Sequence, residues 1–417
     1  MKRILFLVEN LPSPFDRRVW QEATTLRAAG YGVSIICPTG KGCEKHFETI
    51  DGIDIWRYDL PTEGEGALGY LVEYAVALFW SFVLSFRIRF DVIHACNPPD
   101  LFFLIGGFWK LLGKKFLFDH HDANPELYEA KFNRRDWFYK LMLLLEKLTF
   151  KTADVSIATN RSYKRIAIQR GGMDEDRVFV VRSGPSLERL RIVEPDVRLK
   201  RGRKFLVGYV GVMGRQEGID LLLKSVEYIV KKLKRQDIHF GLVGGGTSLE
   251  EMRALATELG VADYVTFTGR VPDAEMLAML NTADVCVNPD IANDMNDIST
   301  MNKIMEYMAL GKPIVQFDLT EGKFSAQKAS LYARRNDPVD FALKVISLLE
   351  SPEKRRAMGE YGRRRVEQEL EWRYEAPKLL AAYEALWAAP RGATPRGTAP
   401  TSPKGLVRNR GPVRFGE

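Results

Sequence analysis

Between Asn296 and Asp318 the sequence NDISTMNKIMEYMALGKPIVQFD sets two different chemistries on one short helix. Met301, Ile304, Met305 and Met308 fall at the i, i+3, i+4, i+7 spacing of a buried stripe. Ser299, Asn302, Lys303 and Glu306 recur on the opposite side, so one cation, one carboxylate and two neutral polar groups point the same way. A helix N-terminus offers free N–H groups and the positive end of the aligned peptide dipoles, and so seats an anion. Lys303 in the first turn strengthens that seat. Glu306, one turn on, repels phosphate at contact distance but accepts hydrogen bonds from vicinal hydroxyls such as those of a ribose. The set suits a nucleotide diphosphate. It equally suits a plain amphipathic helix whose Lys303 and Glu306 pair in water. Asp297 or Ser299 is expected to cap the helix, Gly311 to stop it and Pro313 to open the next strand.

Four further loops could carry chemistry, each following an apolar run that reads as a strand. Gly211 to Gly218, which includes Gly214 and Gln216, opens a helix and lets a backbone come close to phosphate; Gly244-Gly245-Gly246 ends another strand. Both patterns are also those of ordinary tight turns. Phe118 to Glu126 places His120 and His121 among three carboxylates, suited to acid–base work or to a hydrogen bond with a substrate hydroxyl. Metal ligation is the rival there, and a structural pairing of a loop histidine with Asp122 the plainer alternative. Two adjacent histidines cannot easily face one ion, and no other His or Cys clusters nearby in sequence. The prolines of His94 to Asp100 shape a rigid turn that positions the fold.

The elements that must position these loops alternate strand and helix twice. Continuous apolar strands are expected at Lys2–Val8, Gly32–Cys37, Ile53–Tyr58, Val92–Ala95, Lys115–Phe118, Val155–Ala158 and Val178–Arg182, with a helix from about Asp16 to Ala29. Strands without polar alternation belong to a buried parallel sheet flanked by helices. Periodicity lapses from Ser183 to Lys204, and a second alternation follows: strands Phe205–Val210, Ile238–Val243, Tyr264–Thr268 and Val285–Asn288, and helices Ile219–Lys234, Ser248–Leu259 and Ala274–Thr282. The fold class is therefore α/β, two Rossmann-like domains facing a cleft, over residues 1–185 and 205–370 with a linker at 186–204. Pro352 to Trp387 reads as helix long enough to reach back across the boundary, its last part, 371–389, forming the crossing segment.

Length and charge agree with two domains. The chain has 417 residues, 46% of them hydrophobic, and a formal charge of +7. Six Lys or Arg against Glu417 make the segment from Arg391 net +5, so 390–417 reads as a solvated, disordered basic tail and the folded body is near +2. That balance argues against a nucleic-acid surface. Cys37, Cys43, Cys96 and Cys286 lack metal-like spacing and read as reduced structural thiols of a cytoplasmic protein. No secretion signal is visible, and the apolar run Tyr74 to Phe86 is too short to cross a bilayer.

Taken together, Phe15-Asp16-Arg17-Arg18-Val19, Phe118 to Glu126, Tyr209 to Asp220, Val265 to Arg270 and Lys303 to Pro313 make the chain resemble the GT-B retaining glycosyltransferases of family four, especially bacterial enzymes of exopolysaccharide and lipopolysaccharide synthesis, to about Trp387. The resemblance implies an acceptor domain followed by a donor domain. It implies that Glu306 holds the donor ribose, Lys303 the diphosphate, Arg270 and Val271 the base, and His121 the transferred sugar. Ile298 stands where the family has a carboxylate, with Asp297 beside it, and Val212 and Glu217 stand where it commonly has Arg and Lys. Lys303 is then expected to carry the phosphate charge and Asp297 the sugar contact, with backbone at Gly214, Gln216, Ser299 and Asn302 completing the donor site. The expected reaction moves a sugar from a nucleotide diphosphate sugar to a lipid-linked or saccharide acceptor with retention, without metal or other cofactor. Tyr74 to Phe86, Phe102 to Leu112 and the basic and aromatic residues Lys114, Lys115, Arg134, Arg135, Trp137 and Phe138 suit either peripheral contact with the cytosolic face of a membrane or a pair of core helices with a solvated basic edge, the latter favoured for Tyr74 to Phe86. A nucleotide-sugar epimerase of this architecture and a non-catalytic nucleotide-sugar binder are the competing expectations.

Overall fold

A computed structural model of the chain describes residues 1–60 and 66–388. The expected tail at 390–417 lies outside the described residues. The first sheet contains β1 (Arg3–Leu7), β2 (Gly32–Pro38), β3 (Phe47–Ile50), β4 (Ile53–Tyr58), β5 (Val92–Cys96), β6 (Lys115–His120), β7 (Val155–Ala158) and β8 (Val178–Val180), in spatial order β3-β4-β2-β1-β5-β6-β7-β8. The second contains β9 (Phe205–Val210), β10 (Ile238–Val243), β11 (Val265–Gly269), β12 (Val285–Asn288), β13 (Ile314–Phe317) and β14 (Ser330–Ala333), in order β11-β10-β9-β12-β13-β14. Pairing is parallel throughout except that β3 runs antiparallel on β4. Two edge strands, β3 and β14, are absent from the sequence reading. The sequence FETI is half exposed and carries no continuous apolar run, and SLYA is short and flanked by polar residues.

Alternate residues of each central strand serve opposite faces of its sheet, as a strand's period of two requires. Ile4, Phe6 and Val8 pack into one core with Leu379, Ala382, Tyr383 and Leu386 of the C-terminal helix; Leu5 and Leu7 pack into the other with Ala77, Ile105 and Phe150. Both sheets reverse strand order once, between β1 and β5 and between β9 and β12. Such reversals leave a crevice beyond the carboxyl ends of the strands, where ligands of open α/β sheets bind.

The helix Asn302–Ala309 forms as expected and its stripe is buried, with Ile304, Met305 and Met308 inside the second core. Tyr307 joins them: fully buried, its hydroxyl accepts from Val210 N at 2.9 Å and donates to Val287 O at 3.2 Å. Neither Asp297 nor Ser299 caps this helix. A separate short helix, Asp294–Ile298, precedes it with Asn293 as its cap, and the cap of Asn302–Ala309 is Met301, whose side chain makes no capping bond. Gly311 ends the helix at φ +65°, a backbone that favours glycine.

The C-terminal segment departs from one continuous helix. Pro352–Arg365 runs into a wide π-type turn at Val366–Leu370, the chain extends at Glu371, and Trp372–Trp387 forms the crossing helix. Trp372 Nε1 donates to Thr25 Oγ1 at 2.8 Å, and Arg182 N donates to Glu375 Oε2 at 3.0 Å, which pin this helix to the first sheet's side.

Candidate active site

Residues after β9 and β12, at the reversal of the second sheet, converge on Lys303. Gly218, between the post-β9 turn and the helix Ile219–Glu227, has φ +64°, and a Cβ there would lie 2.0 Å from Pro289 O, so only glycine lets the two loops close on each other. Asn296 Nδ2 and Ile291 N both donate to Gln216 O, at 2.9 and 3.1 Å, and tie the loops further. Lys303 enters this junction already paired. Lys303 Nζ donates to Glu217 Oε2 at 2.6 Å and to Asp290 Oδ1 at 2.9 Å, and sits 5.0 Å over the Tyr209 ring. Burial works against the ammonium, yet Asp290, Tyr209 and Glu217 hold its pKa well above that of an ordinary lysine. Burial also pushes the Asp290 carboxyl up to about 7 against the pull of Lys303. The paired-in-water alternative fails too, because Lys303 bonds to other loops and not to Glu306.

Glu306 faces the seam between the halves. Its Oε1 accepts from Arg189 Nη1 at 3.1 Å and lies 3.6 Å from Arg17 Nη1, while both arginines also reach Asp273. Asp273 begins the helix that follows Val271, so the Arg270–Val271 loop comes to the same place as Glu306. Arg270 is exposed, and Val271 is half-buried against the second core. Asn302 is exposed beside Lys303. Asp297 does not join the Lys303–Glu306 cluster: its carboxylate accepts from Thr320 N, Thr320 Oγ1 and Arg335 Nη2, at 3.0, 2.8 and 2.7 Å. A sugar that takes the Asp297 carboxylate has to replace one of these partners. Ser299 Oγ donates to Met295 O at 2.7 Å and meets Tyr163 OH at 3.2 Å, a bond between the two halves.

His121 is held from the first half by Asn97, whose Oδ1 accepts from His121 N at 2.7 Å and from Asp122 N at 3.1 Å. The proline-shaped turn, expected only to position the fold, thus also positions the histidine loop. The His121 ring pairs through Nε2 with Asp119, not with Asp122. Asp119 is fully buried and accepts a two-pronged bond from Arg18, Nη2 at 2.8 Å and Nε at 3.1 Å. Burial opposes its ionised form, but Arg18 and His121 keep its pKa well below the usual carboxylate range. Beside it burial holds Glu22 well above that range and lowers His94, whose Nδ1 meets Tyr383 OH of the crossing helix at 2.8 Å. His120 is excluded from chemistry: it is fully buried near Phe118, Phe150 and Tyr163, and burial depresses its pKa to about 3.

Among the described residues His94, Cys96 and Asp119 bring ligand atoms within 4.8 Å of one another. They do not suit an ion, because Arg18 already occupies both oxygens of Asp119 and burial keeps the Cys96 thiol protonated. The residues that the sequence reading missed are Asp290, Arg189 and Asp273. Asp290 lies two residues past the strand Val285–Asn288, so extending the post-strand reading to that loop would have found it.

Residues 16–189 match the model of Glycosyltransferase Family 4, and residues 204–351 match that of Glycosyl transferases group 1. Each half of the chain carries a glycosyltransferase domain. An uncharacterized glycosyltransferase of Methanocaldococcus jannaschii is 22% identical over 317 residues, 74% of this chain and 79% of that one. Of several other curated relatives the chain spans about half the length. Sucrose-phosphate synthase from Thermosynechococcus elongatus aligns with a TM-score of 0.74 at 19% identity, covering 93% of this chain and 99% of that one. Anabaena HepE in complex with UDP and glucose aligns with a TM-score of 0.71 at 15% identity, over 92% of this chain and 100% of that one. The chain therefore has the GT-B architecture, two parallel-sheet Rossmann-like domains with a C-terminal helix.

Proposed function

We propose that this glycosyltransferase moves a sugar from a nucleoside diphosphate sugar to a lipid-linked or saccharide acceptor, with retention at the anomeric carbon, in cell-surface polysaccharide synthesis. The observation that carries the reading is Glu306, whose carboxylate faces the seam and shares Arg189 and Arg17 with Asp273, two residues beyond Val271, and which suits the hydroxyls of a ribose. HepE, of the same fold, was solved in complex with UDP and glucose, which supports a nucleotide-sugar donor. Retention and the polysaccharide pathway rest on the likeness to family four.

In this reading positive charge grows on the sugar ring and negative charge on the leaving diphosphate as the bond breaks. Backbone N–H groups near Gly214 and at the start of the helix Asn302–Ala309, with Lys303 behind them, stabilise the leaving group without a metal ion. His121, fixed by Asp119 and Asn97, meets the transferred sugar. The test is transfer from a panel of nucleotide sugars, with the anomeric configuration of the product read by NMR. Lys303→Ala is expected to lower that transfer by roughly ten-fold to a thousand-fold, measured on the fraction that circular dichroism shows folded because Glu217 and Asp290 lose their partner, and unchanged turnover would remove Lys303 from the role.

On the acceptor side a cavity of about 410 Å³ opens at the seam, lined by Arg135, Arg165 and Arg170 of the first half and by Asp294 and Ile298 of the second. Glu126 lines it too, and Arg170 is already paired with Glu126 and Glu146 and Arg135 with Glu129 and Asp294, so the cavity suits a polar, hydroxyl-bearing acceptor. Phe79, Trp80, Phe86, Leu104 and Leu111 leave an apolar surface on the same half, 40 to 86% exposed. No helix among the described residues is long and apolar enough to cross a membrane. The surface fits peripheral docking on the cytosolic leaflet, so the chain is expected to float with anionic liposomes at low salt, and failure to bind them would reject that docking.

A further inference from the structure

The seat of the diphosphate is charged in an unexpected sense. One buried cation, Lys303, faces two carboxylates, Glu217 at 2.6 Å and Asp290 at 2.9 Å, at the carboxyl ends of β9 and β12. With both acids ionised the cluster is net negative, and a diphosphate placed there meets repulsion rather than a counter-charge. Lys303 cannot leave its acids cheaply, because that would strand two carboxylates, one of them fully buried.

Resting on the proposed nucleotide-sugar donor, we infer that the donor seat is proton-coupled: a nucleoside diphosphate binds together with one proton from solvent, which settles on Asp290 and leaves Lys303 and Glu217 as a neutral pair. The geometry singles out Asp290 over Glu217. Asp290 is fully buried and its Oδ2 has no hydrogen-bond partner, whereas Glu217 is half-buried and its Oε2 also accepts from Tyr209 OH at 3.3 Å. A proton on Oδ2 displaces no existing hydrogen bond, whereas the bonded oxygens of the cluster already serve as acceptors. Burial has already brought the Asp290 carboxyl to about 7, so the proton is available near neutrality. The titratable groups that face Asp290 are Lys303 from the helix Asn302–Ala309, Glu217 from the post-β9 turn and Tyr209 from β9. Of these, the phenol stays protonated because burial pushes its pKa well up.

Calorimetric titration of the full chain with UDP and with GDP, free of divalent metal, tests this between pH 6 and 8.5. The heat is measured in two buffers of different ionisation enthalpy. The expected result is uptake of about one proton per nucleotide at pH 7.5, with Kd rising toward ten-fold per pH unit above neutrality. Asp290→Asn, which keeps the shape and removes the titration, is expected to bind with a flattened pH profile and to supply the correction for the nucleotide's own phosphate. Should that variant fail to fold, the buffer comparison on the unaltered chain decides alone. Binding with equal heats in both buffers and a level Kd from pH 6 to 8.5 overturns the proton coupling and leaves the donor reading in place. Binding only when magnesium is added also overturns it, since the ion then supplies the charge. If neither nucleotide binds at any pH, the donor reading falls and the coupling falls with it.

Discussion

Glu306 is held by arginines from two directions, Arg189 of the interdomain segment and Arg17 at the start of the first helix. A ribose that takes this carboxylate must displace at least one guanidinium. Arg17 is well exposed, and exposed pairs contribute only about 0.2–1 kcal/mol. Arg17→Ala is therefore expected to tighten nucleotide binding by about two- to five-fold, read as Kd by calorimetry; a weaker Kd would mean that Arg17 grips the donor itself. Lys303 and Glu306 were legible because a 3.6-residue period puts them on one helical face. Their partners were not, since Lys303–Glu217 joins positions 86 apart and Arg189–Glu306 positions 117 apart, and no local pattern carries such a pairing. For the same reason the lysine read as a free cation when it is an enclosed one.

At the scale of elements, the helix Trp372–Trp387 completes the core of a sheet made from the other end of the chain. Leu379, Ala382, Tyr383 and Leu386 are all fully buried against it. Removing part of that contact should open a cavity under the sheet, and Leu379→Ala is expected to cost about 2–5 kcal/mol of stability in urea unfolding followed by tryptophan fluorescence. A loss below 1 kcal/mol would mean that the helix is only loosely docked. The central strands β9, β10 and β12 stand where the sequence places them, because each is a continuous apolar run buried on both faces. The break at Glu371 was hidden, because neither proline nor glycine marks the turn Val366–Leu370. Within the following helix Pro377 is tolerated, although proline usually marks an end.

For the whole molecule the buried acids set the response to pH. Burial, helped by Glu73, pushes Glu9 up to about 8, and burial pushes Glu146 and Asp290 up to about 7. In the unfolded chain these carboxyls lose their protons near pH 4, so the folded state binds the extra protons between there and pH 8. The stability they contribute is present below the unfolded pKa and is lost as pH rises through 7 to 8. The buried histidines work in the opposite sense at lower pH: His120 and His239, depressed by burial to about 3 and 4, lose stability as pH falls below about 6.5. Thermal unfolding midpoints are expected to fall from pH 7 to 8.5, and a level or rising midpoint would show that these carboxyls are ionised in the native protein.

The bond between His94 and Tyr383 spans 289 residues of chain. A ribosome releases the first sheet long before it makes the helix that roofs it, so the nascent amino-terminal half carries one oily face uncovered through most of translation. Maturation of this half waits on the last part of the message, and a transcript cut short upstream of Trp372 would deliver a product that chaperones and proteases meet as unfinished.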